Sequence, residues 1–188
     1  MDILLIALVT FLTGIGYLLI KNGLLVSVTF DTEDVAAMNL AYKLHVGDYA
    51  KSAQSMDTVY RELQQQGVTD VTAFGLFYDN PQTTSRETLR SLTGCIIKNA
   101  SDYEQIEHIK KSVLPASTSL VATFPYKSSF SIAIGAIKVY SALAKHRMQH
   151  GTPEVPVMEI YDMDNRQIIY VVLTGLEKAF LEDLVKVS

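Results

Sequence analysis

"PVMEIYDMD", residues 156–164, reads as a β-strand with a carboxylate in its middle. Val157 and Tyr161 suit a strand, Met158 and Ile160 are apolar, and Glu159 interrupts them. Alternation puts Val157, Glu159 and Tyr161 on one face. Glu159 is therefore either a solvated residue on an outer face or a deliberately buried charge.

The stretch has a counterpart upstream. "LFYDNP" at 76–81 aligns with "EIYDMD" at 159–164: an apolar or acidic lead, then Tyr-Asp, then a turn. An arginine, Arg90 or Arg166, follows near the start of each closing strand. Working outward, each copy reads strand, helix, strand, turn, strand, over about 38–97 and about 118–173. A period of this length is not a solenoid; it predicts an α+β fold of two pseudo-twofold-related halves, with a groove between them. The alignment matches Tyr78 with Tyr161, Asp79 with Asp162, and Leu76 with Glu159. A carboxylate at that place would then be unnecessary for folding.

The remaining elements follow from periodicity and punctuation. Leu24–Phe30 is expected as a short strand, Asp31–Asp34 as a solvated acidic loop, and 36–47 as a strand ended by Gly47. Asp48 is placed to cap a helix running to Gln66. Strands are expected at 72–81, 90–98, 120–126, 155–162 and 167–173, and a helix at 102–113. Ser128 or Ser129 caps a long helix to His150, whose apolar stripe is Phe130, Ala133, Ile137, Tyr140 and Ala144. Further apolar residues widen that stripe and imply more than one packing neighbour. A last helix, Gly175–Val187, is expected behind a Thr174-x-x-Glu177 capping box.

The N-terminus departs from this pattern. Residues 3–20 carry no charge and as a helix would span about 27 Å, close to the hydrocarbon core of a bilayer. A signal peptide normally has a basic leader and a small-residue cleavage site, neither of which stands here. The reading is an uncleaved single-pass anchor, with signal peptide and buried helix as rivals. Lys21 favours a cytosolic domain with the N-terminus outside, in the endoplasmic reticulum or a bacterial inner membrane. In that orientation the Asn99-Ala100-Ser101 sequon stays unused. The division expected is 1–22 anchor, 23–175 folded domain and 176–188 C-terminal helix or tail.

Composition sets limits. The chain has 188 residues, 48% of them hydrophobic, and a formal net charge of -4. That suits one domain and no nucleic-acid partner. One cysteine, Cys95, and four scattered histidines form no metal-ligand pattern, and no cofactor is indicated.

"AYKLHVGDY", "FYDNP", "ATFPYKSSFSIAIGAIKVYSAL" and "PVMEIYD" resemble the GyrI-like domain superfamily, and within it the membrane-anchored testis-expressed protein 264 family. The resemblance covers about residues 1–175. It implies a tandem of two strand-helix-strand-strand units that binds small molecules. In drug-binding relatives the glutamate of the "E-I-Y" strand meets cationic aromatic ligands, a place held here by Glu159. The ligand set expected is Glu159, Tyr161, Tyr78, Phe124, Tyr126 and Tyr42, around an apolar or cationic molecule or a protein partner. Some relatives hydrolyse strained-ring electrophiles with a Glu and a Tyr, for which Glu159 and Tyr161 would serve. Anchored relatives act as adaptors and in autophagy of the endoplasmic reticulum through a tail with an aromatic-x-x-aliphatic motif. "FLEDL" at 180–184 has one residue too many for it, and "YVVL" at 170–173 reads as a core strand. The expectation is therefore a binding domain on a membrane, with the reticulophagy role in doubt.

Overall fold

The computed structural model describes residues 2–186. Helix α1, Asp2–Lys21, stands off the rest of the chain with none of its apolar window buried, which removes the buried-helix reading. By length and composition it fits a membrane span or a signal sequence.

Strands β1 (Asp31–Val35) and β2 (Met38–Val46) lead to helix α2 (Ser52–Gln65), then β3 (Val71–Phe77) and β4 (Arg90–Ile97). A short α3 (Ala100–Gln105) precedes β5 (Lys110–Leu114) and β6 (Ser117–Pro125). Helix α4 (Ser129–His150), β7 (Val157–Asp162), β8 (Gln167–Val172) and α5 (Lys178–Lys186) complete the order. The strands form one eight-stranded antiparallel sheet, β1-β6-β8-β7-β3-β4-β2-β5. Each half has the same spatial order, first, third, second: β2-β4-β3 and β6-β8-β7. The halves join where β3 meets β7, so the α+β tandem stands as expected.

Local chemistry fixes the helices. Asp48 accepts from the Ala50 amide and starts the short turn into α2, whose Val59 and Leu63 are buried. Ser128 caps α4 in a reciprocal box with Ser131, and Gly151 closes it in the left-handed region at φ 66. Helices α2 and α4 cover one face of the sheet. Val59 and Leu63 pack on Ala41, Cys95 and Ile97, while Ile134, Val139 and Leu143 pack on Phe124, Ile168 and Tyr170. The other face, with Leu40, Tyr42, Phe74, Leu76, Met158 and Ile160, is covered by Leu181 and Leu184 of α5.

Several expectations are corrected. Residues 24–30 pair with no strand; Val26, Val28 and Phe30 satisfy their alternation by packing on the α4-side core. The strand is the acidic stretch after them, β1, zipped onto β6 from Asp31↔Val121 to Val35↔Ser117. Its charges are tolerated because it is an exposed edge. The helix expected over 102–113 splits: α3 is capped by Asn99, and β5 then pairs with the free edge of β2. The last helix begins at Lys178, so Thr174 stands too far upstream to open it and the expected box is not formed, while the Glu177 carbonyl accepts from the Leu181 amide; Val187 lies outside the described residues.

On α4 the buried positions are Ser131, Ile134, Gly135, Val139 and Leu143. The stripe expected to face the core is instead partly outside, with Phe130 66% and Ile137 70% exposed. Gly135 explains the choice: a Cβ there would lie 2.9 Å from the Tyr170 hydroxyl and 2.8 Å from the Phe124 ring. Small residues let this face approach the sheet closely. The second neighbour expected for α4 is the segment after α1. Asn22 Oδ1 accepts from Ser128 Oγ at 2.5 Å and Ser131 Oγ at 3.1 Å, and Lys138 Nζ donates to the Leu24 carbonyl.

Candidate functional site

Register places Glu159 directly across from Gly75 on β3 and Tyr170 on β8. Lys43, Thr93, Gly75, Glu159, Tyr170 and Ala122 thus form one row across six strands, on the face that carries α2 and α4. Leu76 lies across from Met158 on the opposite face. Leu76 and Glu159, aligned in the repeat, therefore point to opposite faces: Gly75 shares the carboxylate's face, and Leu76 shares that of Met158.

Glu159 is 4% exposed. Tyr140 of α4 donates to its Oε1 at 3.0 Å and Tyr161 to its Oε2 at 3.0 Å. Among the described residues it has no ion pair. Burial pushes its carboxyl up to about 7, against a smaller opposing pull from the two phenol hydrogen bonds. The same burial, reinforced by the carboxylate, holds both phenols well above their ordinary range. The Tyr170 ring stands edge-on to Tyr140 at 6.2 Å, and its hydroxyl, although fully enclosed, has no hydrogen-bond partner among the described residues. Ser91 and Thr93, on this same face, also have enclosed hydroxyls without partners. Buried polar groups are normally satisfied, so this face holds unmet hydrogen-bonding capacity around a carboxylate.

The six residues expected as one ligand set are divided by the sheet. Glu159, Tyr161, Phe124 and Tyr126 belong to the α4 side. Tyr42 and Tyr78 belong to the α5 side, where the Tyr78 hydroxyl donates to the Leu181 carbonyl at 2.8 Å. Phe124 is fully buried, so it is wall rather than mouth. A hollow beside β1, lined by Ser27, Asp31 and Glu33, and a cleft between α2 and α3 at Gln66 and Glu107 both lie away from Glu159. Tyr140 and Tyr170 were not expected at the site; their register relative to Glu159 is set by tertiary packing. The paired turns also differ. Asp79 takes a forked contact from Arg90 at 2.8 and 3.0 Å, whereas Asp162 is bonded by Asn165 and Gln167.

Residues 29–172 match the model of the GyrI-like small molecule binding domain. The chain belongs to the GyrI-like family. A testis-expressed protein 264 homolog from Mus musculus is 30% identical over 155 residues, covering 76% of this chain and 48% of that protein. Testis-expressed protein 264 from Homo sapiens is 27% identical over 171 residues, covering 85% and 52%. This GyrI-like chain spans about half the length of the curated relatives it matches. Among solved structures, the EcmrR C-terminal domain superposes with a TM-score of 0.53 at 13% identity, covering 80% of this chain and 98% of that one. EcmrR in a complex with DNA gives 0.55 at 14%, covering 91% and 67%. At such identities the likeness concerns the GyrI-like fold alone.

Proposed function

We propose that this GyrI-like domain is held at a membrane by residues 3–20 and binds a hydrophobic cation against Glu159, between α4 and the seam of the sheet. The observation that carries the reading is the enclosed carboxylate, which among the described residues has two phenols and no cation for partners. A cationic aromatic ligand would supply the missing charge, and the rings of Tyr140, Tyr161 and Tyr126 would supply apolar and quadrupolar contact. Because the carboxylate is closed off, entry requires the Tyr140 side of α4 to move away from β7. Asn22, 4% exposed and bonded to both Ser128 and Ser131, supports an uncleaved helix: removal of the helix together with this residue would strip the start of α4 of a buried partner. In this reading 1–22 anchors the chain, 23–175 is the binding domain on the cytosolic side, and the closing helix belongs to the domain's α5-covered face.

The test is a thermal-shift comparison of the full chain and Glu159→Gln in one detergent, against lipophilic phosphonium or ammonium cations and their neutral isosteres. A ligand at about 100 times its dissociation constant adds roughly 2.7 kcal/mol of apparent stability. Stabilisation by cations in the parent that is lost in the variant is the expected result. Equal shifts in both proteins would place any binding elsewhere.

A further inference from the structure

The outer face of α4 and the chain just after α1 share two properties. First, they expose large apolar groups. Leu25 is 73% exposed, Leu24 41%, Phe130 66% and Ile137 70%. These four sit close to the root of α1. Phe130 follows the Ser128 that holds Asn22, and Leu24 is tied by its carbonyl to Lys138, next to Ile137. Second, they carry no negative charge. The chain has 20 acidic residues, yet none falls between 3 and 30 or between 124 and 153, whereas Lys21, Lys127, Lys138 and Lys145 do. A protein of net charge -4 thus has no acidic residue in either of the two segments that meet at the foot of its apolar helix, the first of them ending just before Asp31. The foot is also fixed in place. The two hydroxyls on Asn22, the Lys138 contact and Gly23 packed against Phe124 at φ 103 leave no free linker between α1 and the domain.

We infer that the face formed by Leu24, Leu25, Phe130 and Ile137 with its surrounding lysines is a seat on an anionic lipid surface, so that the domain lies against the bilayer instead of hanging from it on a tether. The inference rests on α1 being a membrane span. Apolar side chains on such a seat reach about 5–10 Å into the headgroup boundary, with lysines placed among the anionic headgroups. The mixed pattern suits lipid better than a protein partner, because the apolar groups lie in segments that carry lysines and no carboxylates and they adjoin a helix already long enough to cross the bilayer.

The sequence has no tryptophan, so single substitutions report their own depth. The full chain is reconstituted into phosphatidylcholine vesicles, with and without phosphatidylserine, containing acyl chains brominated near the headgroup. Three variants are compared: Phe130→Trp on the seat, Tyr60→Trp on α2 of the other half, and Tyr17→Trp in α1. Expected is that Phe130→Trp loses most of its emission and shifts to the blue, more so with phosphatidylserine, while Tyr60→Trp does neither. If Tyr17→Trp is quenched and Phe130→Trp matches Tyr60→Trp, the seat is wrong and the span stands. If neither Tyr17→Trp nor Phe130→Trp is quenched, both readings fall. Quenching of Phe130→Trp without Tyr17→Trp removes the span and overturns the inference with it, leaving a peripheral surface contact in its place.

Discussion

Gly75 and Glu159 face one another across the strand pair that joins the two halves of the sheet. The carboxylate thus has no cross-strand side chain on its β3 side, and its hydrogen bonds come from Tyr140 and Tyr161. Among the described residues, both of its hydrogen-bond donors are phenols. Such surroundings favour the protonated acid, and the consequence for stability can be worked out with its sign.

In the unfolded chain Glu159 ionises near 4.5, and in the folded one near 7. Between those values the folded state binds the extra proton, so stability falls as pH rises through that window. The penalty is complete above about 7 and is on the order of 3 kcal/mol. Glu159→Gln, which has no charge to bury, is expected to be more stable than the parent at pH 8 and nearly equal to it at pH 4. Denaturant melts of both proteins across that range are the check; parallel curves would mean that the carboxylate is well solvated.

Removing either phenol donor leaves burial less opposed. Tyr140→Phe and Tyr161→Phe should each move the Glu159 midpoint further up, by about one unit for a charge-assisted hydrogen bond. Carbon-13 shifts of the labelled carboxyl measure it directly. A midpoint that falls would mean that water replaces the lost hydroxyl.

Gly135 sets how closely α4 approaches β8. Adding one methyl group would press on Phe124 and the Tyr170 hydroxyl at under 3 Å. Gly135→Ala should cost about 1–3 kcal/mol despite its better helix propensity. Gly14→Ala, whose added carbon would meet nothing within 4 Å, is the control and should leave the domain's melting unchanged.

Arg90 joins the turn after β3 to the last helix. It holds Asp79 through the forked contact and Glu182 at 2.9 Å. Arg90→Ala should loosen α5 and expose Leu181 and Leu184, at a cost of about 2 kcal/mol, since the ion pairs are only partly enclosed. Limited proteolysis would show it as earlier cleavage near Gly175. A variant as resistant as the parent would mean that Leu181 and Leu184 hold the helix unaided.

The seam of the sheet was legible because Val157–Asp162 and 72–81 combine alternation with strong turn residues, and the Ser128 cap and Gly151 stop bracket α4 in plain chemistry. Other parts were settled by partners distant in sequence. Asp31–Val35 and Lys110–Leu114 look like loop and helix by themselves; they become strands because β6 and β2 present open edges to them. Helix α4 offers two apolar stripes of similar strength, and only contact with Phe124 and Tyr170 selects the one with Gly135. The aligned Tyr-Asp pairs misled about facing for a related reason. Turn chemistry fixes where a strand ends, whereas facing is fixed by the register between β3 and β7. Hence Tyr78 looks toward α5 and Tyr161 toward Glu159.

Helix α4 touches both ends of the molecule's business. Its Tyr140 rests on the enclosed carboxylate, and its opening turn, Ser128 and Ser131, grips Asn22 at the base of α1. A rigid rod gripped at one end cannot be lifted at the other without turning its fixture. In the proposed reading, a ligand that levers Tyr140 away from Glu159 would therefore apply a torque at Asn22, and binding inside the domain would be felt as tilt of α1.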